Sequence, residues 1–164
     1  MKRLTATICL TIAVLLGSVG MSWSADFQKG LTAARSGDFA TALREWRPLA
    51  EQGNARAQTS LGFMYAKGKG VPEDDKEAVK WYNLAAEQGD ADAQYNLGLM
   101  YKRGQGVLQD NAYAHMWWNI AASSGKSKNA SKNRDKVEGM MTSADISTAQ
   151  KLARECVARD YKGC

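Results

Sequence analysis

The sequence predicts an all-α fold, a short array of helix pairs stacked side by side. Two observations carry this. Residues 57–89 and 93–125 repeat at an offset of 36 without a gap, with identities running from Ala57/Ala93, Leu61/Leu97 and Gly62/Gly98 through Tyr65/Tyr101, Gly70/Gly106 and Asp74/Asp110 to Trp81/Trp117, Ala86/Ala122 and Gly89/Gly125. A period in this range marks units that bury their apolar faces only against their neighbours. Each copy also carries the start and stop signals of two helices, with a glycine-containing turn between them. Arrays of this kind present a surface more often than they house a reaction, which sets the class of function to weigh first.

Residues 1–25 read as a secretory signal peptide. Met1-Lys2-Arg3 is a short basic start, Leu4 to Gly20 carries no charge, and Ser22-Trp23-Ser24-Ala25 supplies small residues for cleavage after Ser24 or Ala25. The apolar run is short for a membrane span and no second one follows, so stable membrane insertion after cleavage is not expected. Cys9 lies inside the run without a lipobox-like sequence. The expected location is the periplasm or the exterior. Loss of Lys2 and Arg3 lowers the net charge from +5 to +3, a modest excess that does not call for nucleic acid.

Residues 26–164 form the expected repeat domain. The unit over 26–53 is shortened: Ala42, Trp46, Ala50 and Gly53 align with Ala78, Tyr82, Ala86 and Gly89, whereas the helix before them aligns only if four residues leave the turn, which Ser36-Gly37-Asp38 makes tight. Over 54–89, Asn54 caps a helix spanning about 55–67 with Leu61, Met64 and Tyr65 on one stripe. Gly68 and Gly70 end it and Pro72 prevents continuation. Asp74 caps the next helix, with Glu77 placed to complete a capping box and Ala78, Trp81, Tyr82 and Ala85 on its apolar face. Over 90–125 the plan recurs, with Asp90 and Asp110 as caps and Tyr113 where the box would need Glu. Over 126–164 the pattern fails, as Asn133-Arg134 stands where Leu97-Gly98 would recur. A polar helix from about 129 and a last helix begun by Thr142 with Asp145 form degenerate capping helices; Ile146, Ala149, Leu152, Ala153 and Cys156 make the buried stripe of the last one. An array needs such a wettable end.

These residues closely resemble the Sel-one-like repeat family, relatives of the tetratricopeptide repeat with a longer turn between the helices. The shared pattern is A-x-x-x-L-G-x-x-Y-x-x-G-x-G-V-x-x-D-x-x-x-A-x-x-W-[YW]-x-x-A-A-x-x-G, met from Ala57 to Gly89 and from Ala93 to Gly125. The unit over 27–53 is closer to a plain tetratricopeptide repeat. The resemblance implies a right-handed α-superhelix and a non-enzymatic protein-interaction role, as adaptor or scaffold. Some exported members carry a disulfide within each repeat; the repeats here contain no cysteine.

No catalytic, cofactor or metal site is expected. His115 is the one histidine, has no second histidine or cysteine near it in sequence, and reads as a helix-surface residue. Gly68-Lys69-Gly70 and Gly104-Gln105-Gly106 follow helices, so helix capping explains them better than a phosphate cradle. Glu73-Asp74-Asp75 reads as a solvated turn, and the recurring tryptophans as packing between helices. The rival reading, a modulator or regulatory subunit of a peptidoglycan-active envelope enzyme, shares all these features; a hydrolase would need a nucleophile–base or carboxylate pair that the sequence does not place.

Two kinds of residue escape the repeat. The first helices of such pairs line a groove, and the positions they leave off the Leu61/Tyr65 stripe are Arg56, Phe63 and Lys67 in one unit and Tyr95, Leu99, Lys102 and Arg103 in the next, with Leu31 and Arg35 as counterparts in the short unit. Phe63/Leu99 form an apolar row beside the basic row Lys67/Arg103. That suits a protein or peptide partner with apolar anchors and an acidic residue or free C-terminus, bound by a monomer. The second kind is Cys156 and Cys164, the two cysteines left after cleavage. An oxidising compartment favours a bridge between them; the alternative is two free thiols, with Cys156 buried on a helix face.

Overall fold

A computed structural model describes residues 25–125 and 127–164. The expected signal segment, all but its last residue, lies outside the described residues. The chain forms α1 (Phe27–Arg35), α2 (Phe39–Glu51), α3 (Ala55–Lys67), α4 (Asp75–Ala86), α5 (Ala91–Arg103), α6 (Asn111–Ser123), α7 (Lys128–Glu138) and α8 (Ser143–Ala158), with no strand among the described residues. Successive helices pack against one another from α1 to α7, α3 also meets α5, and α8 folds back onto α6. This is an all-α solenoid.

Local chemistry sets the helix starts. Asn54, Asp90 and Asp110 accept backbone N–H groups of the first turns of α3, α5 and α6, and Thr142 with Asp145 forms a reciprocal capping box at α8. Asp74 likewise accepts the Glu77 N–H at 3.0 Å, but Glu77 does not complete the expected box. The Asp74 N–H is already donated to the Tyr65 carbonyl at 3.0 Å. Glu77 therefore turns outward to Lys80, 2.8 Å away.

Packing between helices explains the recurring glycines. A side chain at Gly98 would run into the Trp118 indole, so α5 and α6 approach closely only because position 98 lacks one. Gly106, at φ 68°, lies against the backbone of Asp75 at the start of the preceding unit's second helix. Three apolar clusters result: one around Trp46, Leu61 and Met64 of the first units, a central one around Tyr82, Leu97, Trp117, Ala153 and Cys156, and one joining Trp118 to Ala130 and Val137 of α7.

The C-terminal unit departs from the pattern most. On α8, Ala149, Ala153 and Cys156 are buried while Ile146 and Leu152 are half-buried. Beyond α8 the chain reverses through Asp160 (φ 49°) and Tyr161 (φ 65°), and Cys156 is joined to Cys164 by a disulfide with Cα atoms 5.5 Å apart.

His115 corrects the surface reading. It is 1% exposed and its Nε2 lies 3.2 Å from Glu138 Oε2 at the end of α7. The corresponding residue of the preceding unit, Val79, is also buried. The position faces inward in both units, and in the second it is covered by a helix whose placement the repeat does not encode.

Candidate interaction surface

Phe63, Lys67, Leu99 and Arg103 line one recess of about 80 Å³ between α3 and α5, together with Ala66, Asn96, Met100 and Gln105 and the buried ring of Tyr82. The helical period explains the meeting. Phe63 and Lys67 are one turn apart on α3, Leu99 and Arg103 occupy the same places on α5, and stacking of the two units sets the rows side by side. Phe63 is 47% exposed, a large apolar side chain left facing water. Lys67 and Arg103 are exposed at the last turns of their helices, where a cation also complements the helix dipole. The recess thus joins an apolar floor to two cations and the side-chain amides of Asn96 and Gln105.

Most of the other residues of the predicted row are engaged within the chain. The Arg56 guanidinium sits 4.4 Å from the centre of the Phe27 ring. Tyr95 is half-buried; its carbonyl accepts the Trp118 indole N–H at 3.1 Å, and its hydroxyl accepts from Asn133 of α7 at 3.3 Å. The Lys102 ammonium donates to Asn111 at 3.0 Å and lies 3.6 Å from the Met140 sulfur. Leu31 is half-buried against the first cluster, while Arg35 is exposed. Asn96 and Gln105 were not anticipated. Asn96 lies one turn before Leu99 and two before Arg103, so the same spacing could have found it.

No group of three or more His, Cys, Asp or Glu able to hold a metal ion is found among the described residues, and none of the described helices is long and apolar enough to cross a membrane. One charged cluster joins α1 to α2. Glu45 of α2 is 5% exposed; its carboxylate meets Lys29 at 2.7 Å and accepts the Asp26 N–H at 3.2 Å. The hydrogen bond from Lys29, followed by that from Asp26, holds its carboxyl below the usual carboxylate range.

The chain is similar to known proteins through both its sequence and its shape. The Sel1 repeat family matches residues 55–90 and 91–126. A crystal structure of c5321, a protective antigen present in uropathogenic Escherichia coli strains and displaying an SLR fold, superposes with a TM-score of 0.76 at 29% identity, over 80% of this chain and 30% of that one. A Sel1 repeat protein from Oxalobacter formigenes superposes with a TM-score of 0.65 at 29% identity, over 79% of this chain and 55% of that one. The chain therefore spans less than two thirds of either protein. No curated protein sequence matches it significantly. Sel1 repeats are generally protein-interaction modules, and their fold is typically a non-catalytic scaffold. The helix pairs over 55–126 match two Sel1 repeats, and the chain shares the all-α solenoid fold of these Sel1-repeat (SLR) structures.

Proposed function

We propose that the chain is an exported, non-enzymatic adaptor that binds a protein or peptide segment in the groove formed by its first helices. The observation that carries this is the recess that brings Phe63 and Leu99 beside Lys67 and Arg103. An exposed apolar pair suits apolar anchors of a ligand, and two flanking cations suit an acidic side chain or a free C-terminal carboxylate. Each charge-assisted contact of that kind contributes about 1–3 kcal/mol. The groove is supplied by two stacked units, so neither unit alone would bind. A cysteine pair bridged at the C-terminus fits an oxidising compartment such as the periplasm or the exterior.

Peptide selection tests the reading. A random library displayed against residues 26–164 should enrich segments with apolar residues near an acidic residue or the C-terminus. Lys67→Glu combined with Arg103→Glu should abolish that enrichment while helix content stays unchanged, because both side chains are exposed. An unaltered peptide profile in the double variant, and an unaltered set of proteins captured from periplasmic extract, would remove the groove from consideration.

A further inference from the structure

A second surface emerges when the site that holds the C-terminal segment is shifted back by one repeat. On the segment's side of the molecule, α8 covers Trp117 and Ile120 of α6, which are buried in one cluster with Ala153 and Cys156. The tail that follows reaches α4. The Tyr161 ring lies against Gly89, within 3.4 Å of where a side-chain carbon there would be. Glu87 accepts the Gly163 N–H at 3.1 Å and faces the Lys162 ammonium at 3.8 Å. Beneath this, the Gln94 amide donates to the Ala86 carbonyl at 3.2 Å.

Shifted back by 36 residues, these positions become Ala50, Glu51, Gly53, Gln58, Trp81 and Leu84, identical to their counterparts except that Leu84 replaces Ile120. They line a groove of about 490 Å³ between α2 and α4. Its frame is built the same way, since the Gln58 amide donates to the Ala50 carbonyl at 3.0 Å. Only the cover is missing. Leu84 is 46% exposed where Ile120 is 3% exposed. Nothing lies within 4 Å of a side-chain carbon built on Gly53. Glu51 is exposed, with no ion pair among the described residues. Lys162 of the chain's own tail lines the rim of the groove.

We propose that this groove is a docking site for a partner protein's segment of the same chemistry as α8 and its tail. The segment would be an amphipathic helix with alanine-sized residues at three-to-four spacing, followed by an aromatic and a basic residue. The small residues would lie on Trp81 and Leu84, the aromatic one on Gly53, and the basic one on Glu51. Glu51 is the acidic group a basic residue of the occupant would meet, because Glu87 at the same rim already faces Lys162 at 3.8 Å. This surface lies apart from the recess at Phe63 and Leu99 and can be tested independently of it.

The probe is a synthetic peptide of residues 143–164 with its two cysteines joined, carrying a photo-reactive phenylalanine in place of Val157, which is exposed beside the contact face of α8. Titrated against the full chain, it should bind saturably and label the segment around Trp81 and Leu84. Leu84→Glu should weaken binding by about tenfold or more, and Leu84→Ala by less. Both variants should keep their helix content by circular dichroism, since Leu84 is half exposed. Three outcomes overturn the proposal: no binding at millimolar peptide, label placed around Trp117 and Ile120 because the peptide displaces α8, or a doubled mass by light scattering that Leu84→Glu returns to the single-chain value. The last would mean that copies of the chain exchange their own α8.

Discussion

Gly98 of α5 and Trp118 of α6 occupy one space, the indole filling the volume that a side chain at 98 would need, and the Trp118 Nε1 donates to the Tyr95 carbonyl 3.1 Å away. A ring over the equivalent glycine recurs in the two preceding units. Trp46 lies over Gly30 and donates to the Phe27 carbonyl at 3.1 Å, and Tyr82 lies over Gly62. Gly98→Ala should therefore lower stability by about 1–3 kcal/mol through overpacking, although alanine is the better helix former. In a Trp118→Leu background the same change should cost much less, because the clash partner is gone. Urea unfolding of the four proteins of this cycle checks it; equal costs in both backgrounds would show that the glycine is not there for the indole.

The buried His115 meets the half-exposed Glu138 at 3.2 Å and so links α6 to α7. Glu138 is the more accessible partner, so Glu138→Ala leaves the ring nitrogen next to water that can enter. A cost of about 1 kcal/mol is expected, at the low end for losing a hydrogen-bond partner. His115→Val, which copies the residue at the equivalent position Val79, removes both ring nitrogens, one of which (Nδ1) has no partner. It should change stability by less than about 1.5 kcal/mol in either direction. A loss of several kcal/mol on valine substitution would show that the hydrogen bond, and not packing, fixes α7.

Where local chemistry decides, the structure was legible in advance. Asn54, Asp90, Asp110 and Thr142 cap the helices expected of them because a cap needs only residues three positions apart. The rows Phe63/Leu99 and Lys67/Arg103 meet because the period that spaces them also stacks them. What escaped depends on contacts between the repeats and the irregular flanks. His115 is buried by α7, Tyr95 is engaged by Asn133 of α7, Lys102 by Met140 just after α7 as well as by Asn111 of its own unit, and Arg56 by Phe27 of the shortened unit. Nothing in the 36-residue pattern specifies these flanking helices. Glu77 is a different case: the box failed because a backbone carbonyl had already taken the donor that Glu77 would have bonded.

Glu45 makes stability depend on acid. Its carboxyl titrates below the usual range because Lys29 and the Asp26 N–H bond the charged form. A lowered folded-state pKa means that the unfolded chain takes up its proton first. The stabilisation is thus complete above the unfolded-state pKa, near 4.3, and is lost as pH falls through the lower folded-state value. Thermal midpoints measured from pH 6 down to pH 3 should fall, and Glu45→Gln should flatten that fall while lowering the midpoint at pH 6. An identical pH profile in the variant would assign the acid sensitivity to other carboxylates.

The disulfide closes a loop from Cys156 to Cys164, a sequence separation of 8. Chain-entropy arguments give a loop of that length about 2–3 kcal/mol of stabilisation. Its structural effect should be local. Reduction frees the tail that places Tyr161 on Gly89 and Gly163 on Glu87, whereas α1 to α5 contain no cysteine and keep their caps and packing. Hydrogen exchange on the protein with and without reductant should therefore show faster exchange in the last turns of α8 and around residues 85–90, with protection of α3 unchanged. Mass mapping under non-reducing conditions should recover the two cysteines in one linked peptide. Two free thiols would discard the bridge, and uniform loss of protection along the chain would show that the tail holds the whole stack and not only its end.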